Sequence, residues 1–227
     1  MIPFTLFSCR WIFVVALGFL VFANESLAEE KHLLDEGFWH HADGEDVAEL
    51  LEDGADVNAR DVAGQTALHI AAQHSGSIDA VTMLLHKGAD MNARDVNGWT
   101  PLHRSAAFGE DLDVLRLLLE RGADVNARGI LGATPLHWAA EFAEDWEVLV
   151  VLLDGGADVS ALDSIGRTAL HWSAAWGSVG GSSPRVVKVL LERGAQADLQ
   201  DSNGITPLQL AMTLGQNRRV IRMLGGE

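Results

Sequence analysis

The stretch TPLHWAAEF, residues 134–142, sets a histidine beside a tryptophan inside a short apolar run, and close variants of it return along the chain. ALHIAAQH, PLHRSAAF and ALHWSAAW place His69, His103 and His171 in the same frame as His137. Whether these four histidines form a reactive site or a scaffold decides both the fold and the function.

Working outward, paired apolar residues occur at Leu50-Leu51, Leu84-Leu85, Leu118-Leu119, Leu152-Leu153, Leu190-Leu191 and Met223-Leu224, in steps of 34, 34, 34, 38 and 33. Self-similarity at that period is the mark of a solenoid. A Gly-Ala-Asp triplet follows each of the first four pairs, and Gly194-Ala195-Gln196 follows the fifth. The third unit shows the physics. Thr100 is suited to cap a helix, and Pro101 fits its first position, where a missing N–H is harmless. Leu102 and Ala106 share one face, the small Ser105 and Ala106 admit a close neighbour, and Gly109 ends the helix. A second helix from near Asp113 carries Val114, Leu115, Leu118 and Leu119 inward, until Gly122 supplies a left-handed end.

These motifs resemble the ankyrin repeat, whose pattern runs D-x-x-G-x-T-P-L-H-x-A-A-x-x-G and then V-x-x-L-L-x-x-G-A-D-V-N. The resemblance covers about residues 36 to 227 and implies an all-α ankyrin-repeat solenoid of stacked helix pairs with hairpin fingers. In that register the units are a capping repeat at 29–60, internal repeats at 61–94, 95–128, 129–162 and 163–200, and a shortened closing repeat at 201–227. Each unit buries its apolar face only against its neighbours, so the ends must be polar. Two departures stand out, Arg104 directly after a repeat histidine and Gly129 where the turn usually has Asp.

Distance answers the opening question. Packed helices lie about 8 to 10 Å apart, whereas zinc needs nitrogens about 2.0 to 2.1 Å from one ion, so the repeating histidines cannot share a metal. In ankyrin repeats this histidine ties adjacent turns together by hydrogen bonds, and the resemblance implies the same role here. Gln209 replaces it in the last unit, which has no following neighbour. His40 and His41, adjacent on a helix, point apart and read as poor metal ligands. There is no Gly-rich phosphate loop, no HExxH and no Gly-x-Ser-x-Gly, and the motifs call for no catalytic residue, cofactor or metal.

Composition narrows the partner. The chain has 32 acidic and 16 basic residues; Glu25 and Arg10 fall in the first 28, leaving 31 against 15 and a net charge of −16. Such a field repels phosphate backbones and anionic membranes. Residues 1–28 read as an export signal: Arg10, the apolar run Trp11 to Ala23, then Ser26-Leu27-Ala28 before charged residues. An uncleaved anchor competes with that reading, although the run is short for a span of about 20 residues. Cys9, the one cysteine, falls within the signal, so no disulfide holds the exported chain.

A binding surface is expected at positions that are exposed and variable in ankyrin proteins. One such position, near the end of each first helix, reads His74, Phe108, Phe142, Trp176 and Leu214. The finger positions add Val62, Val96, Trp99, Ile130, Leu131 and Ile165, with Arg60, Arg94 and Arg128 beside them. Apolar patches with aromatic residues and arginine are typical of binding sites. The competing reading has the lengthened loops folding back over Phe108, Phe142 and Trp176, and the arginines pairing with acidic turns. Trp138 and Trp172 read as packing residues, and the loop Gly177 to Pro184 as a mobile insertion. The expected function is a monomeric, non-enzymatic, exported protein that binds another protein on its concave finger face, as a periplasmic adaptor, inhibitor or stabiliser of an envelope enzyme. The alternatives are a secreted effector that binds a host protein and an enzyme that uses carboxylates of the lengthened loops.

Overall fold

A computed structural model describes residues 33–74, 77–143, 145–175 and 183–226. The signal reading of residues 1–28, Trp176 and nearly all of the 177–184 insertion lie outside them. The described residues form six helix pairs: α1 (Glu36–Trp39) and α2 (Gly44–Glu52), α3 (Ala67–His74) and α4 (Ile78–His86), α5 (Pro101–Phe108) and α6 (Leu112–Glu120), α7 (Pro135–Phe142) and α8 (Glu147–Asp154), α9 (Ala169–Ala175) and α10 (Pro184–Glu192), α11 (Pro207–Thr213) and α12 (Arg218–Met223). No strand occurs among them.

The first helices pack in series, α1 on α3, then α5, α7, α9 and α11, and the second helices form a parallel row from α2 to α12. Each layer uses a different residue size. The first helices carry alanine or serine toward their neighbours, so their backbones approach closely, whereas the second helices insert Val81, Leu84, Leu115, Leu118, Leu149, Leu152, Val187 and Leu190 into one continuous core.

Both helix ends follow from single residues. At Gly54 the chain turns left-handed, with φ +100°, while the Ala55 amide donates to the Leu50 carbonyl and the Gly54 amide to Leu51. That pair of bonds satisfies orphan carbonyls only because glycine adopts this conformation without strain. Starts are set by the threonines: Thr100, Thr134 and Thr206 sit at N-cap positions followed by Pro101, Pro135 and Pro207.

Hairpin fingers join one pair to the next, and their geometry comes from an aspartate. Asp95 Oδ1 accepts from the amides of Asn97 and Trp99 at 2.8 and 2.9 Å, and Asp61, Asp163 and Asp201 do the same in their fingers. Where Gly129 replaces the aspartate, Ile130–Gly132 tightens into a 3₁₀ turn and Leu131 takes φ +61°, a left-handed conformation that no other non-glycine adopts among the described residues. Without a carboxylate to gather the amides, the backbone turns at a steric cost of about 1 kcal/mol.

Candidate functional site

Three sets of hydrogen bonds lock the fingers to the helices, and they determine which side chains are left for recognition. In the first, each repeat histidine bridges two units. The Thr100 amide donates to His103 Nδ1 at 3.1 Å, and His103 Nε2 meets the Ala133 carbonyl at 3.3 Å. His69, His137 and His171 repeat the pattern toward Trp99, Arg167 and Ile205 carbonyls at 3.0, 3.0 and 3.2 Å. With Nδ1 accepting, the ring is the neutral Nε2–H tautomer. Burial pushes all four imidazoles below their ordinary range, His103 to about 4, and the carbonyl acceptors only partly oppose this. The scaffold reading is therefore the one the geometry supports. Gln209 keeps the local half of the device: its Oε1 accepts from the Thr206 amide at 2.9 Å.

In the second set, arginine joins finger to finger. Arg60, Arg94 and Arg128 each direct Nη1 to the glycine carbonyl of their own finger and, at 2.6 Å, to the carbonyl 34 residues ahead, at Arg94, Arg128 and Leu162 respectively. They are exposed, and Nη1 of each is held by backbone carbonyls of the fingers. The third set was not anticipated. Asn58 Oδ1 accepts from the Asp90 amide, Asn92 Oδ1 from Asp124 and Asn126 Oδ1 from Asp158, at 2.8 to 3.0 Å. The asparagine in the Asp-Val-Asn or Asp-Met-Asn turn at the 34-residue step was the available signal.

The aromatic positions divide. Trp99 was expected on an exposed finger but is 1% exposed, and this expectation is corrected. It precedes the capping Thr100 and turns beneath the finger, where Gly129 makes room: a Cβ there would lie 3.0 Å from Trp99 Cδ1. Trp99, Trp138 and Trp172 form the centre of a second apolar cluster, with Trp99–Trp138 and Trp138–Trp172 centroids 4.5 and 4.9 Å apart. Phe108 and Phe142 are half-buried on it, 5.3 Å from each other and stacked on Trp99 and Trp138. They cover a core and leave only part of each ring to solvent. Their neighbour in register, His74, is also half-buried, and Leu214 is exposed.

Arg104, one of the two departures from the repeat pattern, is partly buried. Its Nη2 lies 2.8 Å from Asp95 Oδ2, and its guanidinium sits 4.9 Å over the Trp99 ring. Trp172 Nε1 donates to Asp163 Oδ2 at 2.9 Å, so the residue after the repeat histidine serves the finger aspartate in both units. Beside Phe142, Glu141 is half-buried, and burial alone raises its carboxyl to about 7. At the far end Asp201 is held below the usual carboxylate range; burial opposes this, but the Ile205 and Asn203 amides and the Arg167 guanidinium outweigh it.

What remains outward is a row of apolar finger tips. Val62 and Val96 are 75% and 71% exposed, and Ile130, Leu131, Leu162 and Ile165 between 40% and 44%. Leu162 was missed by the sequence reading; it occupies the register position of the finger arginines. Among the described residues no helix is long and apolar enough to cross a membrane. Comparison with curated proteins gave no match. The family model for ankyrin repeats (3 copies) matches residues 38–129, 93–163 and 136–226. With the histidine bridges, capped helix pairs and fingers in place, that match identifies the chain as a member of the ankyrin-repeat family.

Proposed function

We propose that this chain is an exported, monomeric protein-interaction module that holds a partner protein against its finger tips. Ankyrin repeats generally mediate protein–protein interaction, and the observation that carries the reading to this surface is the row Val62, Val96, Ile130, Leu131, Leu162 and Ile165. Apolar side chains at successive hairpin tips leave much of their surface in water, and apolar surface of this kind marks interaction sites. The aspartate and arginine bonds hold the tips in place before binding, which lowers the ordering cost of association. The excess of acid over base favours a protein partner over nucleic acid or an anionic membrane.

Export rests on the leader-like residues 1–28, and with it a role as periplasmic adaptor, inhibitor or stabiliser of an envelope enzyme. The reading is non-enzymatic. Among the described residues Glu141 is the one carboxyl raised to near neutrality, and burial is the cause.

Site-directed photo-crosslinking tests the surface. A photoreactive residue at Val96 or Leu131 should capture one protein species in the envelope, whereas the same group at Lys188, exposed on α10 in the other layer, should not. Equal labelling from all three positions, or labelling only from Lys188, would contradict the assignment.

A further inference from the structure

The aromatic row at the ends of the first helices extends one unit further back than the sequence suggested: residues 40, 74, 108 and 142 follow one 34-residue step, and the first two are histidines. His40 follows α1 and His74 ends α3, with their rings 5.2 Å apart and edge to face. Glu110, between α5 and α6, lies beside them. One ligand atom from each of His40, His74 and Glu110 lies within 4.8 Å of the other two. The helix caps and finger bonds described above use none of the three.

We propose that His40, His74 and Glu110 form a binding site for a divalent transition-metal ion of the zinc class. Zinc–nitrogen and zinc–oxygen bonds of about 2.0 to 2.2 Å in tetrahedral geometry put donors about 3.3 Å apart, so the three groups need to close by no more than about 1.5 Å. His40 and Glu110 are exposed and half-buried His74 provides the fixed point, so side-chain rotation supplies the closure. Two imidazoles with one carboxylate suit zinc, whereas calcium and magnesium prefer oxygen alone. The fourth position stays open to water. The ligands come from three successive helix pairs, so the ion clamps the N-terminal pair, whose α1 has only four residues, to the two that follow. His40 and His41 lie just beyond α1 rather than on it, with rings 6.5 Å apart, and the partners of His40 come from across the repeat at His74 and Glu110.

The test is calorimetric titration of the full chain, free of any histidine tag, with zinc chloride, alongside thermal unfolding with and without zinc. One ion per chain and a raised midpoint are expected. His74→Phe, which places at 74 the residue type found at 108 and 142, should weaken binding at least about tenfold and remove the midpoint shift, as should His40→Gln and Glu110→Gln. His86→Ala, at an exposed histidine on α4, should change neither. The two exposed substitutions keep the test valid should His74→Phe unfold. Absence of saturable one-to-one binding, or affinity unchanged in His40→Gln and Glu110→Gln, overturns the proposal.

Discussion

His103 Nε2 donates to the Ala133 carbonyl of the next helix pair, while its Nδ1 accepts from Thr100 in its own helix cap. A single neutral ring closes a cap and a joint between units. Replacing it with alanine removes both bonds and opens a cavity, an expected loss of about 2 to 4 kcal/mol in urea unfolding. His103→Gln should lose less, because Gln209 shows that glutamine retains the cap. Equal losses would mean that the cap contributes nothing.

The same rings give a pH dependence with a definite sign. His103 is lowered from 6.5 to about 4, so the folded state binds fewer protons than the unfolded one between those values. Its contribution is complete above pH 6.5 and is lost as pH falls toward 4, about 3 kcal/mol for this residue, with His69, His137 and His171 acting in the same direction.

Glu141 runs the other way. Its carboxyl is raised from 4.5 to about 7, so its contribution is present below pH 4.5 and lost as pH rises through 7. Glu141→Gln should therefore stabilise the protein at pH 8 and leave its stability at pH 4.5 nearly unchanged. Thermal midpoints across this range check both statements; no gain at pH 8 would show that the carboxyl is better solvated than its surroundings indicate.

Arg94 binds the Gly98 and Arg128 carbonyls from one terminal nitrogen, at 3.1 and 2.6 Å. Because the side chain is exposed, Arg94→Ala should cost only about 1 kcal/mol. It should also loosen the finger, seen as faster amide hydrogen exchange at Gly98 and neighbouring residues. Unchanged exchange would show that the aspartate turn alone fixes the hairpin.

Trp99 and Gly129 form a matched pair. Trp99→Ala empties the centre of the second cluster and should cost about 3 to 5 kcal/mol. Gly129→Ala, whose Cβ would sit 3.0 Å from Trp99, should cost about 1 kcal/mol in the otherwise unaltered chain and less when combined with Trp99→Leu. A double-mutant cycle in chemical unfolding measures this, and full additivity would mean that the two positions do not compete for space.

Much of this was legible in the sequence because the repeat registers itself. The threonine caps, the paired leucines and the Gly-Ala-Asp turns each report local chemistry, so the helix pairs could be read from them, whereas the histidine bridges were implied by the resemblance to ankyrin repeats. Trp99 could not be placed this way, since a finger residue reads as exposed until the missing side chain of Gly129 is seen beneath it. The finger-to-finger bonds of the arginines could not be read either, because their acceptors are carbonyls, which leave no trace in side-chain patterns. Phe108 and Phe142 sat at an exposed register position, but their burial depends on Trp99 and Trp138 of their own units, whose rings turn inward beneath the finger row.

The central claim is that recognition resides on the finger tips and stability on the layer beneath. The direct measurement is partner capture from an envelope extract with Val62→Ser/Val96→Ser/Ile165→Ser and with Phe108→Ser/Phe142→Ser, with thermal midpoints taken in parallel. The finger variant should keep its midpoint and lose a specific captured protein, whereas the phenylalanine variant should lose stability. A finger variant that retains the captured protein at full yield would contradict the account.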